Sequence, residues 1–397
     1  MNTSHTLCIS LSVLLLSAGF VDLSAQDESL QISAGQKVRF FSKVLNEERE
    51  CSIYFPRNYN RSSSRYPVLY LLDGESHFLH VAGAVQFLSD ASRIPQLIVV
   101  GITNVDRVRD FTPVHSLMSF TGKIDSALLA TTGGGDTFLK YLREELIPRI
   151  DQTYRTQPYR ILEGHSLGGM FATYALETAP ESFNAYIIIS PAFYGGNESV
   201  LRNFGGFLRR NPDLTTEMFL AVGDEPHIKR GLGSLVQQLK DLAPRALFWK
   251  FEEFENEDHG SVPHLAVYRG LRYIYSPWWI DVSDTSAVGS YKDLEKHFAS
   301  LSTRYGYTIP IPENCVSGLG YNLLYSRKRI DEAIAVFRQN IKNYPSSSHA
   351  ENNLGEAYLV KGDREKAISS FKKSLMLDPA NERALRNLAK LSKSMAK

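Results

Sequence analysis

The chain alternates between short apolar runs and helical stretches, and this alternation limits the folds that are open to it. The runs are largely apolar and end at glycine or turn residues, as expected of strands buried on both faces of a sheet. They cover residues 67–72, 96–102, 159–162, 185–190, 218–222 and 247–251. Helical stretches at 137–153 and 232–241 lie between them. The pattern predicts an α/β fold with a mostly parallel sheet flanked by helices.

The C-terminal part carries a different pattern, a tandem repeat with a period of 34 residues. Three residues recur at this offset: Ala333, Phe337 and Pro345 return as Ala367, Phe371 and Pro379. The second copy resembles the tetratricopeptide repeat, in which small residues let two antiparallel helices pack closely. We predict a small all-α domain over 290–397, with repeats at about 314–347 and 348–381 and a capping helix after them. Two repeats are few, so we expect them to dock on a helix at 291–305.

The first 25 residues have the pattern of a secretory signal peptide. An apolar stretch over 7–20 precedes the small residues Ser24 and Ala25. This stretch is shorter than the roughly 20 apolar residues that a membrane-spanning helix needs, and no later segment is long and apolar enough. We therefore expect an exported protein, periplasmic or secreted, without a membrane span.

Charge and cysteine content exclude several classes of function. The chain has 44 basic and 43 acidic side chains, so nothing indicates a nucleic-acid partner. Cys8 belongs to the predicted signal peptide, and Cys51 and Cys315 lie too far apart in sequence to indicate a disulfide framework. No metal is implied, since His77 and His80 lack a third ligand, and no cofactor motif is present.

One motif indicates nucleophilic chemistry. Gly164-His165-Ser166-Leu167-Gly168 follows the predicted strand 159–162 and precedes a helical stretch at 169–176. A serine in this strand–turn–helix context is exposed above the sheet, and the flanking glycines avoid collisions with the neighbouring strand and helix. Ser166 is therefore the candidate nucleophile.

An activated serine needs a base and a carboxylate that orients the base, in the chain order serine, acid, histidine. Asp224 and Glu225 follow the strand 218–222, and we favour Glu225 as the acid with Asp224 as the alternative. His259, on the loop after the last predicted strand, is the candidate base. The other nearby histidines, which we expect to be structural or pocket-lining, are His165, His227 and His264.

Acyl transfer also needs donors for the oxyanion that develops on the carbonyl group. The backbone amide of Leu167, directly after the nucleophile, is one candidate. The second is the amide of Glu75, in the turn after the strand 67–72. Its carboxylate has no part in this role.

With these motifs in place, residues 38–275 resemble the putative esterase group of α/β-hydrolases, which includes S-formylglutathione hydrolases, feruloyl esterases, ferric-enterobactin esterases and mycolyltransferases. The matching segments are LLDGESHF at 71–78, NVDRVRDFTP at 104–113, EGHSLGGMFA at 163–172, SPAF at 190–193 and HGSVP at 259–263. The resemblance implies an α/β-hydrolase sandwich over about 30–280. It also implies a triad of Ser166, His259 and an acid near position 225, with oxyanion amides at Glu75 and Leu167.

The resemblance extends to substrate-side residues. Arg109 and Asp110 look like a polar pair that contacts substrate in siderophore-type relatives, with a structural salt bridge as the alternative. Phe193 and Tyr194 stand where many members have paired tryptophans, and we expect them, with His165, to shape the substrate pocket.

The function that these motifs predict is carboxylic-ester hydrolysis through an acyl-enzyme, on a siderophore ester or on acyl or feruloyl esters of a carbohydrate. The competing hypothesis is a catalytically silent hydrolase fold whose repeats bind a protein partner or a second copy of the chain.

Overall fold

The computed structural model describes residues 33–395, except residues 58, 118–122, 197 and 285–287. The predicted signal peptide therefore lies outside the described residues. The segment Ala34–Lys397 forms one compact unit. Within the described part of the chain, no helix is long and apolar enough to cross a membrane. Cys51 and Cys315 are both free, and Cys51 is buried.

An eight-stranded sheet runs through the described part of the N-terminal two thirds of the chain, in the order β1-β2-β4-β3-β5-β6-β7-β8. The first two strands are antiparallel to each other, β2 is antiparallel to β4, and every other pairing is parallel. The strands are β1 Gln36–Ser42, β2 Glu47–Tyr54, β3 Tyr66–Leu71, β4 Ile98–Ile102, β5 Thr156–His165, β6 Ala185–Ile189, β7 Thr216–Val222 and β8 Leu247–Glu253. This confirms the predicted α/β fold with a mostly parallel sheet.

Helices connect the parallel strands and cover both faces of the sheet. They are α1 Gly74–Asp90, α2 Arg107–Phe111, α3 Gly135–Tyr141, α4 Ile147–Thr153, α5 Leu167–Thr178, α6 Ser199–Arg210, α7 Pro226–Leu242 and α8 Val262–Ile274. A π-helical turn, Leu142–Leu146, joins α3 to α4, so the helix predicted over 137–153 is interrupted at that point.

Two apolar clusters lie on opposite faces of the sheet because the side chains of a strand alternate between its faces. Neighbouring residues of β5 show this alternation: Ile161 belongs to one cluster and Leu162 to the other. The central strands β3, β4 and β6 have no exposed residue, as expected of strands covered on both sides.

A layer of helices follows the sheet: α9 Tyr291–Tyr305, α10 Glu313–Tyr321, α11 Ile330–Asn343, α12 Ser348–Lys361, α13 Arg364–Leu377 and α14 Glu382–Met395. The small residues of the repeats allow close packing in each helix pair. A Cβ atom at Gly320 would lie 2.3 Å from Cε1 of Phe337, and one at Gly355 would lie 2.6 Å from Cε1 of Phe371. The helices thus match the antiparallel pairs that the 34-residue period predicts.

These helices share one apolar cluster with the sheet. The cluster that contains Ile161 continues through Phe298 of α9 to Phe337 and Phe371 of the repeats. Tyr305 carries the connection, since its ring lies 5.0 Å from that of Tyr159 and its hydroxyl donates to the carbonyl oxygen of Ile274. The repeats are therefore packed onto the part of the chain that contains the sheet.

Candidate active site

Ser166 occupies a strained turn between β5 and α5. Its φ of 59° and ψ of −119° lie outside the regions that most non-glycine residues adopt, at a cost of about 1–3 kcal/mol. The turn is sharp enough that a Cβ atom at Gly164 would lie 2.2 Å from the carbonyl oxygen of Gly168. The backbone holds the turn in place: the Ser166 amide donates to Ile189 and its carbonyl accepts from Ala192, both at 3.0 Å. This arrangement is the strand–turn–helix context that the glycine pattern predicts.

His259 and Glu225 come from two neighbouring loops at the same edge of the sheet. Nδ1 of His259 is hydrogen-bonded to Oε2 of Glu225. The other carboxylate oxygen accepts from the Ser190 hydroxyl at 2.6 Å and from the Gly223 amide at 3.2 Å. Burial alone would raise the pKa of Glu225, but these hydrogen bonds hold it below its usual value. Glu225 is therefore an ionised, fully engaged carboxylate that orients the imidazole.

Asp224, the alternative acid, points elsewhere. Its carboxylate accepts from Nζ of Lys229 at 3.3 Å and from the amide of Asn256 at 3.0 Å, and its side chain is exposed. The structure thus brings Glu225, and not its neighbour, to His259.

The two candidate oxyanion amides belong to the first turns of helices. Leu167 is the first residue of α5 and Glu75 the second residue of α1. Amides at these positions have no acceptor within their own helix, and the helix dipole favours negative charge there. The Glu75 carboxylate accepts hydrogen bonds from the backbone amide and from the side-chain amide of Asn104, which fixes the turn.

A carboxylate–guanidinium clamp beside the elbow was missed by the sequence reasoning. Arg107 binds Asp73 with two hydrogen bonds of 2.6 and 2.9 Å, and Nη2 also donates to the carbonyl oxygen of His165 at 3.3 Å. Asn104 donates to the same carboxylate at 2.6 Å. The only sequence signal for it was the position of Arg107 in the motif at 104–113, which also contains Arg109.

The structure contradicts the substrate-binding prediction for Asp110 and leaves that for Arg109 a prediction. Asp110 has no exposed surface and accepts from Nη1 of the fully buried Arg49 at 2.8 Å. Arg109 binds Asp110 at 2.7 Å and Glu47 at 2.6 Å. The alternative holds: these residues form a salt-bridge network, because a buried charge needs a partner.

Phe193 and Tyr194 differ in position although they are neighbours. Phe193 is buried in the apolar cluster that also contains residues of α5 to α7. Tyr194 is half-buried, and burial raises its pKa while the charges of Arg107 and Glu225 act on it in opposite directions. Tyr194 therefore lies within electrostatic reach of the site.

A buried carboxyl group lies beneath the elbow. Glu163 precedes Gly164 on β5, and neither oxygen of its side chain has a hydrogen-bond partner among the described residues. Burial and the charge of Asp73 raise the pKa of Glu163 well above its ordinary value. The environment of this carboxyl group therefore favours its protonated form.

The histidines near the elbow do not form a metal centre. Among the described residues, no group of three or more His, Cys, Asp or Glu side chains could hold a metal ion. His165 is buried and packs on His259, whereas His264 is exposed in the first turn of α8.

Comparison with known proteins agrees with this architecture. A family model described as "Putative esterase" matches residues 42–280. The chain belongs to this family. A tetratricopeptide repeat model matches residues 349–381, so the esterase carries a C-terminal helical repeat region.

Relatives of this esterase include a siderophore esterase and two proteins of known structure. The ferri-bacillibactin esterase BesA of Bacillus subtilis is 30% identical over 61% of this chain and 90% of its own length. An IroE-like serine hydrolase of Shewanella oneidensis has 29% identity and a TM-score of 0.65, over 76% of this chain and 98% of its own. An uncharacterised protein of Capnocytophaga ochracea, with 18% identity and a TM-score of 0.63, covers 89% of this chain and 100% of its own. This last likeness shows the fold alone.

Proposed function

We propose that this esterase is a serine carboxylic-ester hydrolase that works through an acyl-enzyme. The observation that carries the proposal is the contact of His259 with Glu225 at the edge of the sheet where the strained elbow presents Ser166. A carboxylate on Nδ1 leaves Nε2 unprotonated in the neutral imidazole, which is the tautomer that a general base needs.

The mechanism follows from these positions. Nε2 of His259 takes the hydroxyl proton of Ser166 as its oxygen attacks the ester carbon, and the imidazolium that forms is stabilised by Glu225. The amides of Leu167 and Glu75 donate to the oxyanion. His259 then protonates the leaving alcohol, and water hydrolyses the acyl-enzyme with the same residue as base.

The substrate class that we propose is a siderophore ester. This proposal is supported by the names of relatives, which include the ferri-bacillibactin esterase and a siderophore enterobactin esterase of Emericella nidulans, 35% identical over 36% of this chain and 56% of its own length. Acyl or feruloyl esters of carbohydrates are the second substrate class to be tested.

The first experiment measures hydrolysis of p-nitrophenyl acetate and of ferri-bacillibactin by residues 26–397. Ser166→Ala and His259→Ala should each lower kcat by at least about 10³-fold, as loss of a triad member does in other serine hydrolases. Ser300→Ala, an exposed serine on α9, is the matched control and should retain full activity.

A fluorophosphonate probe separates the outcomes. Labelling of Ser166 without turnover of either ester would mean a serine hydrolase with another substrate. Ester hydrolysis that persists in Ser166→Ala would refute the mechanism. A folded wild type that neither labels nor hydrolyses any ester of a broad panel would support the binding-protein alternative.

We also propose that the protein is exported, on the basis of residues 1–25. N-terminal sequencing of the protein produced from the full-length gene should then begin at Gln26. Intact Met1 on protein found only in the cytoplasm would contradict this.

A further inference from the structure

Five of the chain's ten histidines form a continuous row that begins at the proposed base. The ring of His259 lies 4.4 Å from that of His165, measured between centroids, and His165 lies 5.6 Å from His77. His77 and His80 follow at 5.2 Å, with a hydrogen bond of 3.0 Å between them, and His264 ends the row 5.4 Å from His80. The mechanism proposed above uses only the first of these rings.

His165 has a firm anchorage. It is the last residue of β5, its side chain is buried, and its carbonyl oxygen accepts from Arg107 at 3.3 Å. Asp73 holds that guanidinium in turn. His77 packs edge-on against the His165 ring, with an interplanar angle of 90°. The backbone of His165 is therefore fixed directly before the nucleophile, and its buried imidazole contacts both His77 and His259.

His259, in contrast, is held at one edge only. Its Nδ1 binds Glu225, but the side chain is 42% exposed and lies on a loop after β8. A ring with a single hydrogen bond can still tilt and swing about that bond. The contact with His165, at an interplanar angle of 45°, restricts the motions that the hydrogen bond leaves free.

The His165 ring is also suited to the charge that develops on its neighbour. Burial, followed by the charges of His259, His77 and Arg107, lowers the pKa of His165 to about 3. The ring therefore stays neutral over the working pH range and does not repel an imidazolium. The face of a neutral aromatic ring attracts a cation instead.

We propose that His165 is a positioning residue for His259, holding the face of the imidazole while Glu225 holds its edge. This inference rests on the proposed function. His77 supports His165 from behind, so the positioning weakens along the row.

The test compares two substitutions of the same residue. His165→Ala removes the ring and should lower kcat about tenfold or more, with KM unchanged, because the substrate is not what the ring touches. His165→Phe keeps an aromatic face and should restore kcat to within about threefold of wild type. His77→Ala, one ring further away, should show a smaller loss than His165→Ala. His349→Ala, an exposed histidine on α12, serves as the control.

A double-mutant cycle with Glu225→Gln distinguishes positioning from general loss of stability. If both residues hold the same imidazole, the double variant should lose less than the product of the two single losses, in kcat and in the rate of fluorophosphonate labelling. Circular dichroism and the melting temperature confirm that each variant is folded. If His165→Ala does not fold, the His165→Phe and His77→Ala pair carries the same comparison.

Two results would overturn the inference: an unchanged kcat in His165→Ala, or a loss that falls entirely on KM. These outcomes remain separate from failure of the proposed function. If the proposed function were wrong, Ser166→Ala itself would keep wild-type activity.

Discussion

The two ends of the central sheet differ in how much strain and buried charge they contain. Three residues with a positive φ follow the carboxyl ends of parallel strands: Asp73, Ser166 and Ser190. Buried carboxyl groups at Glu163 and Glu225 lie at the same end. At the amino ends, a cavity of about 940 Å³ lies between the repeats and the sheet, lined by residues such as Tyr66, Gln157 and Asn353.

This difference indicates where the chain carries out chemistry and where it gains stability. Strained turns and buried charges cost free energy and persist only when the surrounding structure holds them, so they mark functional sites. The cavity at the other end is lined by no residue of the proposed triad. Substitutions at the carboxyl end should therefore change activity, and substitutions in the repeats should change stability.

The largest expected effect belongs to the acid at the carboxyl end. Glu225→Gln should lower kcat by about 10³- to 10⁴-fold, because the amide no longer stabilises the imidazolium or selects its tautomer. Asp224→Asn is the matched control and should stay close to wild type, since that side chain does not contact His259. Steady-state kinetics on one ester measures both, and equal losses in the two variants would contradict the assignment.

Asp110 follows β4 at the carboxyl end of the sheet, yet its substitution should change stability and not activity. Asp110→Ala leaves the guanidinium of Arg49 buried without that partner, at an expected cost of about 3–5 kcal/mol in the free energy of unfolding. KM should stay unchanged in the folded fraction, because Asp110 is fully buried in an ion pair with Arg49. Arg143→Ala, which breaks an exposed pair with Glu181, is the control for urea denaturation. A KM effect without destabilisation would restore the substrate-binding role.

Substitutions in the repeats should change stability and leave the activity of the folded protein unchanged. Gly355→Ala puts a methyl group against the buried ring of Phe371 and should cost about 1–3 kcal/mol of stability, with kcat of the folded protein unchanged. Gly233→Ala in α7 is the matched control, because a Cβ atom there meets nothing within 4 Å. It should stabilise the protein by about 1 kcal/mol through helix propensity. Thermal melts followed by ester hydrolysis would show whether the repeats affect activity as well.

The effect expected at Glu163 depends on pH. The folded carboxyl group keeps its proton above the pH at which the unfolded one ionises, so wild type loses stability relative to Glu163→Gln as pH rises between the two pKa values. The difference should grow by about 1.4 kcal/mol per pH unit in that window. Urea titrations at several pH values from 4 to 8 would show it. A constant difference would mean that Glu163 is ionised in the folded state.

Much of this architecture was accessible from sequence. The apolar runs predicted the strands because a strand covered on both faces needs apolar side chains throughout, and the 34-residue period predicted the helix pairs because packing recurs with each repeat. The π-helical turn at Leu142–Leu146 was not predicted, since the helical periodicity continues through it. The burial of Asp110 was not predicted, because a charged pair in a motif looks the same whether it faces a pocket or another ion pair.

The sequence by itself determined the strand–turn–helix around Ser166, because glycines at fixed offsets leave the backbone few alternatives. Tertiary structure alone decided which of two adjacent acids meets His259, because that choice depends on the direction of one side chain at the end of β7. It also decided that histidines from α1, from the end of β5 and from the segment after β8 form one row, and that Arg107 binds Asp73. These contacts join residues far apart in the chain, and no local pattern records them.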